Sequence, residues 1–116
     1  MKNREVGIYV HIPFCKHKCD YCDFISYCNK DNLIEEYIKS VVKEIKMQNI
    51  QSWISTIYIG GGTPSYIDSK YIKQIIKEIK KKKVNKELLI TIEVNPGTVT
   101  EEKLKEYKEC GINRLS

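Results

Sequence analysis

A chain of 116 residues, 41% hydrophobic and 30% charged, has the size and balance of a folded domain rather than of a disordered segment. Its net charge of +5 comes almost wholly from lysine, with arginine only at Arg4 and Arg114, which argues against a nucleic-acid binder built on bidentate arginine contacts. No apolar run approaches the ~20 residues that span a bilayer, and His11 and Pro13 interrupt the apolar stretch near the N-terminus, so neither a membrane span nor a secretory leader is expected.

Residues 4–12, REVGIYVHI, predict a first strand closed by Pro13. The loop after it, FCKHKCDYCDF (residues 14–24), holds Cys15, Cys19 and Cys22 within eight positions. Apolar residues at helical spacing predict a helix over 32–47, with Asn32 and Glu35 as a capping box. STIYIGGG (55–62) predicts a second strand that ends in glycines. Asp68 is placed to cap a second helix carrying Ile72, Ile75, Ile76 and Ile79. The lysine run 80–83 closes that helix, with its cations at the carbonyl end of the dipole.

ELLITIEVNPG (87–97) predicts a third strand stopped by Pro96 and Gly97. Thr98 or Thr100 caps a third helix running to about Cys110, and Gly111 suits the left-handed position after its end. INRLS (112–116) opens a fourth strand. Strands alternating with helices imply an α/β fold with a parallel sheet and right-handed crossovers. The near-continuous apolar first and third strands suggest cover on both faces. A chain that stops at the first residues of a strand is expected to be an N-terminal piece of a larger domain.

An odd number of cysteines, five, without a leader points to a reducing compartment, the cytoplasm by default, where thiolates bind metal. The cysteine loop follows a strand at its C-terminal end, where parallel α/β folds carry their sites. A closed zinc site would need Cys28 or His17 as a fourth ligand, whereas an iron–sulfur cubane held by three thiolates leaves one iron open. A disulfide is disfavoured by the compartment. Lys16, His17 and Lys18 either offset the charge of a cluster or form a solvated loop tip. Tyr21 either shields a cluster, stacks on a ligand's purine ring, or packs beneath the loop. Cys28 and Cys110 are assigned to no site, and Cys110 is expected to be a buried small hydrophobe.

YVHIPFCKHKCDYCDF resembles the cluster loop of the radical S-adenosylmethionine (SAM) enzymes, and within them the oxygen-independent coproporphyrinogen III oxidase family and its haem-chaperone relatives. IGGGTPS (59–65), IEVNPGT (92–98) and GINRLS (111–116) follow in the family's order, so the resemblance covers essentially the whole chain. It implies the first three βα units and the start of a fourth strand of a partial parallel (β/α) barrel. By motif position, Cys15, Cys19 and Cys22 would hold a 4Fe-4S cluster whose open iron chelates the methionine part of SAM. One-electron reduction of the sulfonium would then give a 5′-deoxyadenosyl radical. Tyr9 matches a SAM-contacting position, or else fills a barrel core.

The glycines Gly60, Gly61 and Gly62 would let free N–H groups meet SAM, or would make a tight turn; the run is not a P-loop. Thr63 offers a hydroxyl, and Pro64 stiffens the exit. Glu93 ends an apolar strand, where a carboxylate without a partner is costly. That favours a contact with SAM, or a salt bridge to Arg114 or a lysine. Asn95 either assists or starts the turn before Pro96. No residue is assigned a catalytic role.

Partners implied are SAM, a porphyrin or haem in the full-length protein, and an electron donor such as flavodoxin or ferredoxin. The oxidase carries a further cysteine two residues after the third ligand, where Phe24 stands here, so the resemblance is nearer the haem-chaperone branch. The oxidase and a zinc-stabilised binding module remain the alternatives. The 116-residue chain alone is expected to be inactive, with later strands and a C-terminal domain supplying the remaining contacts.

Overall fold

The computed structural model describes residues 5–15, 27–28 and 33–116. Strand β1 (Glu5–Ile12) runs through Pro13 into the two-residue strand β2 (Phe14–Cys15), which pairs in parallel with β3 (Tyr27–Cys28). Helix α1 (Ile34–Met47), strand β4 (Trp53–Gly61), a 3-10 turn (Pro64–Tyr66) and helix α2 (Ser69–Ile79) follow. Strand β5 (Val84–Ile92), helix α3 (Glu101–Glu109) and strand β6 (Arg114–Leu115) complete the chain. The main sheet is parallel throughout in the order β1-β4-β5-β6.

Each crossover joins neighbouring strands, so right-handed connections put every helix on the same face. Ile12, Ile57, Ile59, Ile90 and Ile92 from the strands meet Ile38 of α1, Ile72, Ile75, Ile76 and Ile79 of α2, and Tyr107 of α3 in one core. β-Branched residues suit both the pleated surface and this packing. Among the described residues the helices lie on one face: along β1, Glu5, Gly7 and Tyr9 are exposed while Val10 and Ile12 are buried, but at the end of β5 Ile90, Thr91 and Ile92 are all buried. Successive strand residues point to opposite faces, so the predicted third strand, β5, is covered on both faces at its end, whereas the first, β1, is open on one among the described residues.

Asp68 caps α2 by accepting from the Lys70 N–H at 2.9 Å, and Thr100, not Thr98, caps α3 through the Lys103 N–H at 3.1 Å. Helix α1 starts at Ile34 after Leu33, with no side-chain cap; Asn32 lies outside the described residues. The ladder of β5 begins at Val84, earlier than predicted, and its regular part stops at Ile92. Backbone bonds prolong it, from Glu93 N–H to Ile59 O at 2.9 Å and from Val94 N–H to Ser116 O at 3.0 Å. Gly111 adopts φ +107°, a left-handed conformation that favours glycine.

The lysine run serves neighbouring elements as well as its own helix. Lys82 donates to Gln48 O after α1 at 2.8 Å, and Lys80 to Cys110 O after α3 at 3.3 Å. Lys83 donates to Gln51 O at 3.2 Å and lies 5.3 Å above the Trp53 ring. Cations placed on carbonyls at helix ends complement the dipoles of α1 and α3.

Tyr107 anchors α3 in the core at 1% exposure, yet its hydroxyl has no hydrogen-bond partner among the described residues. Burial first, then the nearby Cys110, Glu106 and Asp68, push its pKa up to about 12. An acid whose pKa is raised on folding stabilises the fold fully below its unfolded value of 10.0 and loses that contribution as pH climbs through the folded value. Tyr107→Phe should therefore raise stability at neutral pH by about 1 kcal/mol, since an unsatisfied buried hydroxyl is removed. It should also flatten the decline in urea midpoint between pH 10 and about 12.

Candidate functional site

The site lies at the C-terminal ends of the parallel strands. Beyond β1, Phe14 is buried edge-on against Tyr37, with ring centroids 5.5 Å apart. The backbone pairing of β1 with β4 continues past Gly61: the Gly62 N–H donates to Ile12 O and the Thr63 N–H to Phe14 O, each at 2.8 Å. This clamp holds the chain where Cys15 begins the cysteine loop, its thiol buried. Cys19, Tyr21 and Cys22 lie outside the described residues, as do Lys16, His17, Lys18 and Phe24. The backbone of Cys28 stands in register with that of Cys15.

The glycine run is demanded by close approach. A Cβ on Gly62 would lie 2.8 Å from Phe14 O and 2.9 Å from Cys15 Sγ. A Cβ on Gly61, at φ +122°, would lie 2.7 Å from Ile12 O. Gly60 makes room for Glu93, whose carboxyl carbon would be 3.0 Å from an added Cβ. The expectation of free N–H donors along this run needs correction. The N–H groups of Gly61, Gly62 and Thr63 go to Glu93 Oε1, Ile12 O and Phe14 O.

Glu93 sits one residue past β5 with its carboxylate turned over Gly60. Oε1 accepts from the Gly61 N–H at 3.1 Å and Oε2 from the Tyr58 hydroxyl at 2.8 Å. Among the described residues it takes part in no ion pair, so the alternative of a salt bridge to Arg114 or a lysine is not what stabilises it. Tyr9 lies on the exposed side of β1 at 58% exposure, stacked on Tyr58 with ring centroids 6.0 Å apart and planes 21° from parallel. Its hydroxyl is 3.1 Å from His11 Nδ1. Partial burial, then the nearby Glu93 and Tyr58, push the Tyr9 phenol up from its ordinary pKa.

Glu93, Gly62, Thr63, Asn95 and Ser116 line a cleft of about 380 Å³. Asn95 serves the turn: its Oδ1 accepts from the Gly97 N–H at 2.8 Å, and its own N–H donates to Ser65 Oγ at 2.9 Å. Behind the cleft, Lys103 Nζ donates to the carbonyls of Ser65, Tyr66 and Thr98. It thereby joins the turn after the glycines to the turn after Glu93. Desolvation lowers the pKa of this ammonium, and Asp68 and Glu106 partly offset the shift. Tyr58 and Lys103 fall outside the quoted motifs, and His11, inside the first of them, is assigned no role there. For Tyr58 and His11 the available signal is the two-residue alternation that puts them on one face with Tyr9; for Lys103 there is none.

Carboxylate, phenols, hydroxyl and a clamped thiol thus converge where strands end, a donor set suited to a polar cofactor beside a metal cluster. The cradle that Gly62 forms around Phe14 O and Cys15 Sγ fits a thiolate ligand held at a set position. Residues 9–116 match the model of the radical SAM superfamily. Curated relatives include proteins named "Heme chaperone HemW". That of Buchnera aphidicola subsp. Acyrthosiphon pisum is 40% identical over 96% of this chain and 31% of its own length. That of Escherichia coli K12 is 31% identical over 100% of this chain and 32% of its own. A solved structure, coproporphyrinogen III oxidase (HemN) from Escherichia coli, described as a radical SAM enzyme, superposes with TM-score 0.85 at 27% identity. It covers 98% of this chain, which spans 27% of that one. The parallel sheet and its helices correspond to the N-terminal portion of that barrel. This chain, spanning about a third of its curated relatives' length, belongs to the radical SAM superfamily.

Proposed function

We propose that residues 1–116 are the N-terminal part of a radical SAM core domain that binds a 4Fe-4S cluster and SAM, in a haem-chaperone-type protein of porphyrin or haem metabolism. The observation that carries this reading is the Cys15 thiol packed against Gly62, a glycine that lines a cleft together with Thr63 and Glu93. Cys15, Cys19 and Cys22 hold the cluster. When bound and reduced by a carrier such as flavodoxin or ferredoxin, the cluster supplies an open iron and a single electron. Tyr9, Tyr21, Gly61, Gly62, Thr63 and Glu93 surround SAM.

These residues bind and orient. The Glu93 carboxylate suits the ribose hydroxyls or the amino group of SAM, and the Tyr9 ring and hydroxyl form one wall. Gly61 and Gly62 act through the space left by their missing side chains, since their N–H groups are already used. Identities of 31–43% to proteins named as haem chaperones, and phenylalanine at position 24, support the chaperone reading over the oxidase. The oxidase stays the second reading because of the likeness to HemN. The cytoplasm is the proposed compartment.

Anaerobic iron–sulfur reconstitution of the full-length protein should give a brown species with visible charge-transfer absorption that Cys19→Ala abolishes; stoichiometric zinc without iron would sink the reading. Gly62→Ala drives a Cβ into backbone that cannot yield, so it should cost about 2 kcal/mol of stability in urea denaturation. The same variant should lower bound iron per chain. Full-length protein should retain haem without decarboxylating coproporphyrinogen III under reducing, oxygen-free conditions; turnover would establish the oxidase instead.

A further inference from the structure

Tyr58 belongs to none of the motif positions, yet it occupies the middle of the site. Its ring lies on β4 between Tyr9 of β1, stacked at 6.0 Å, and Glu93 after β5. Its hydroxyl donates to Glu93 Oε2 at 2.8 Å, and Ser116 Oγ lies 3.4 Å from the same phenol oxygen. Among the described residues, the other donor to the carboxylate is the Gly61 N–H, at 3.1 Å on Oε1. Glu93 is therefore held by one donor on each oxygen, and both come from the end of β4.

We propose that Tyr58 is a positioning residue. It presets the Glu93 carboxylate so that the remaining lone pairs face the cleft before SAM arrives; this rests on Glu93 being a SAM contact. With a single donor, the carboxylate would be free to turn about its terminal torsions, and ordering it would fall to the binding step. The stacking of Tyr9 limits rotation of the Tyr58 ring, so the wall of the site and the aim of its carboxylate are coupled. The hydroxyl acts on SAM through Glu93 and not by touching it.

A double-mutant cycle on the reconstituted full-length protein tests this, with anaerobic calorimetric titration of SAM into wild type, Tyr58→Phe, Glu93→Gln and the double variant. Tyr58→Phe should raise Kd about tenfold when Glu93 is present, the order expected for losing a hydrogen bond to a charged group. In the Glu93→Gln background the same change should shift Kd by less than about twofold, because the partner it orients is gone. Visible absorption of the cluster should be unchanged in all four proteins. Equal losses in both backgrounds, or no loss in either, would overturn the role of Tyr58. A weakened Glu93→Gln protein with a silent Tyr58→Phe removes this inference alone, whereas Glu93→Gln binding SAM like wild type removes Glu93 as a contact and the inference with it.

Discussion

The site depends on one backbone constraint, the parallel pairing of β1 with β4 carried beyond both strands. Two bonds of 2.8 Å, from Gly62 to Ile12 and from Thr63 to Phe14, fix the backbone immediately before Cys15. So close an approach leaves no room for side chains at Gly61 or Gly62. Cys15 stands at the head of the cysteine loop. Here it starts from a segment held by sheet hydrogen bonds and by the buried Phe14 ring.

The same glycines govern the second half of the site. Gly60 vacates the volume that the Glu93 carboxylate fills, and the Gly61 N–H meets one of its oxygens. Charge at a strand end is costly unless hydrogen-bonded. Two donors from β4, and no cation, meet that need among the described residues. From behind, Lys103 and the buried Ser65 tie together the turns that follow β4 and β5. The rigid elements thus position three separate chain segments toward one cleft.

Much of this was legible in the chain. The βα order, Asp68 as a cap and Gly111 in a left-handed conformation follow from local pattern and spacing, whereas Cys15, Gly62 and Glu93 are singled out through the family resemblance. The third-helix cap was narrowed only to Thr98 or Thr100, because both side chains are chemically able; Thr98 instead donates its hydroxyl to Asn95 O. The partners of the lysine run were not legible. Lys80 and Lys82 end on helices far away in sequence, and only the crossovers bring those carbonyls to them. Asn95 had two open roles, and its hydrogen bond to Gly97 fills the turn-forming one.

By itself the sequence determined the element types and the parallel topology, because each is encoded in spacing along a few turns or strands. Only the tertiary structure decided that the glycine N–H groups are consumed internally, that Glu93 is held by Tyr58 and Gly61 rather than by Arg114, and that Tyr9 is open to ligand. Those outcomes depend on distances between strands that lie tens of residues apart. Which donor reaches which acceptor there is set by sheet register.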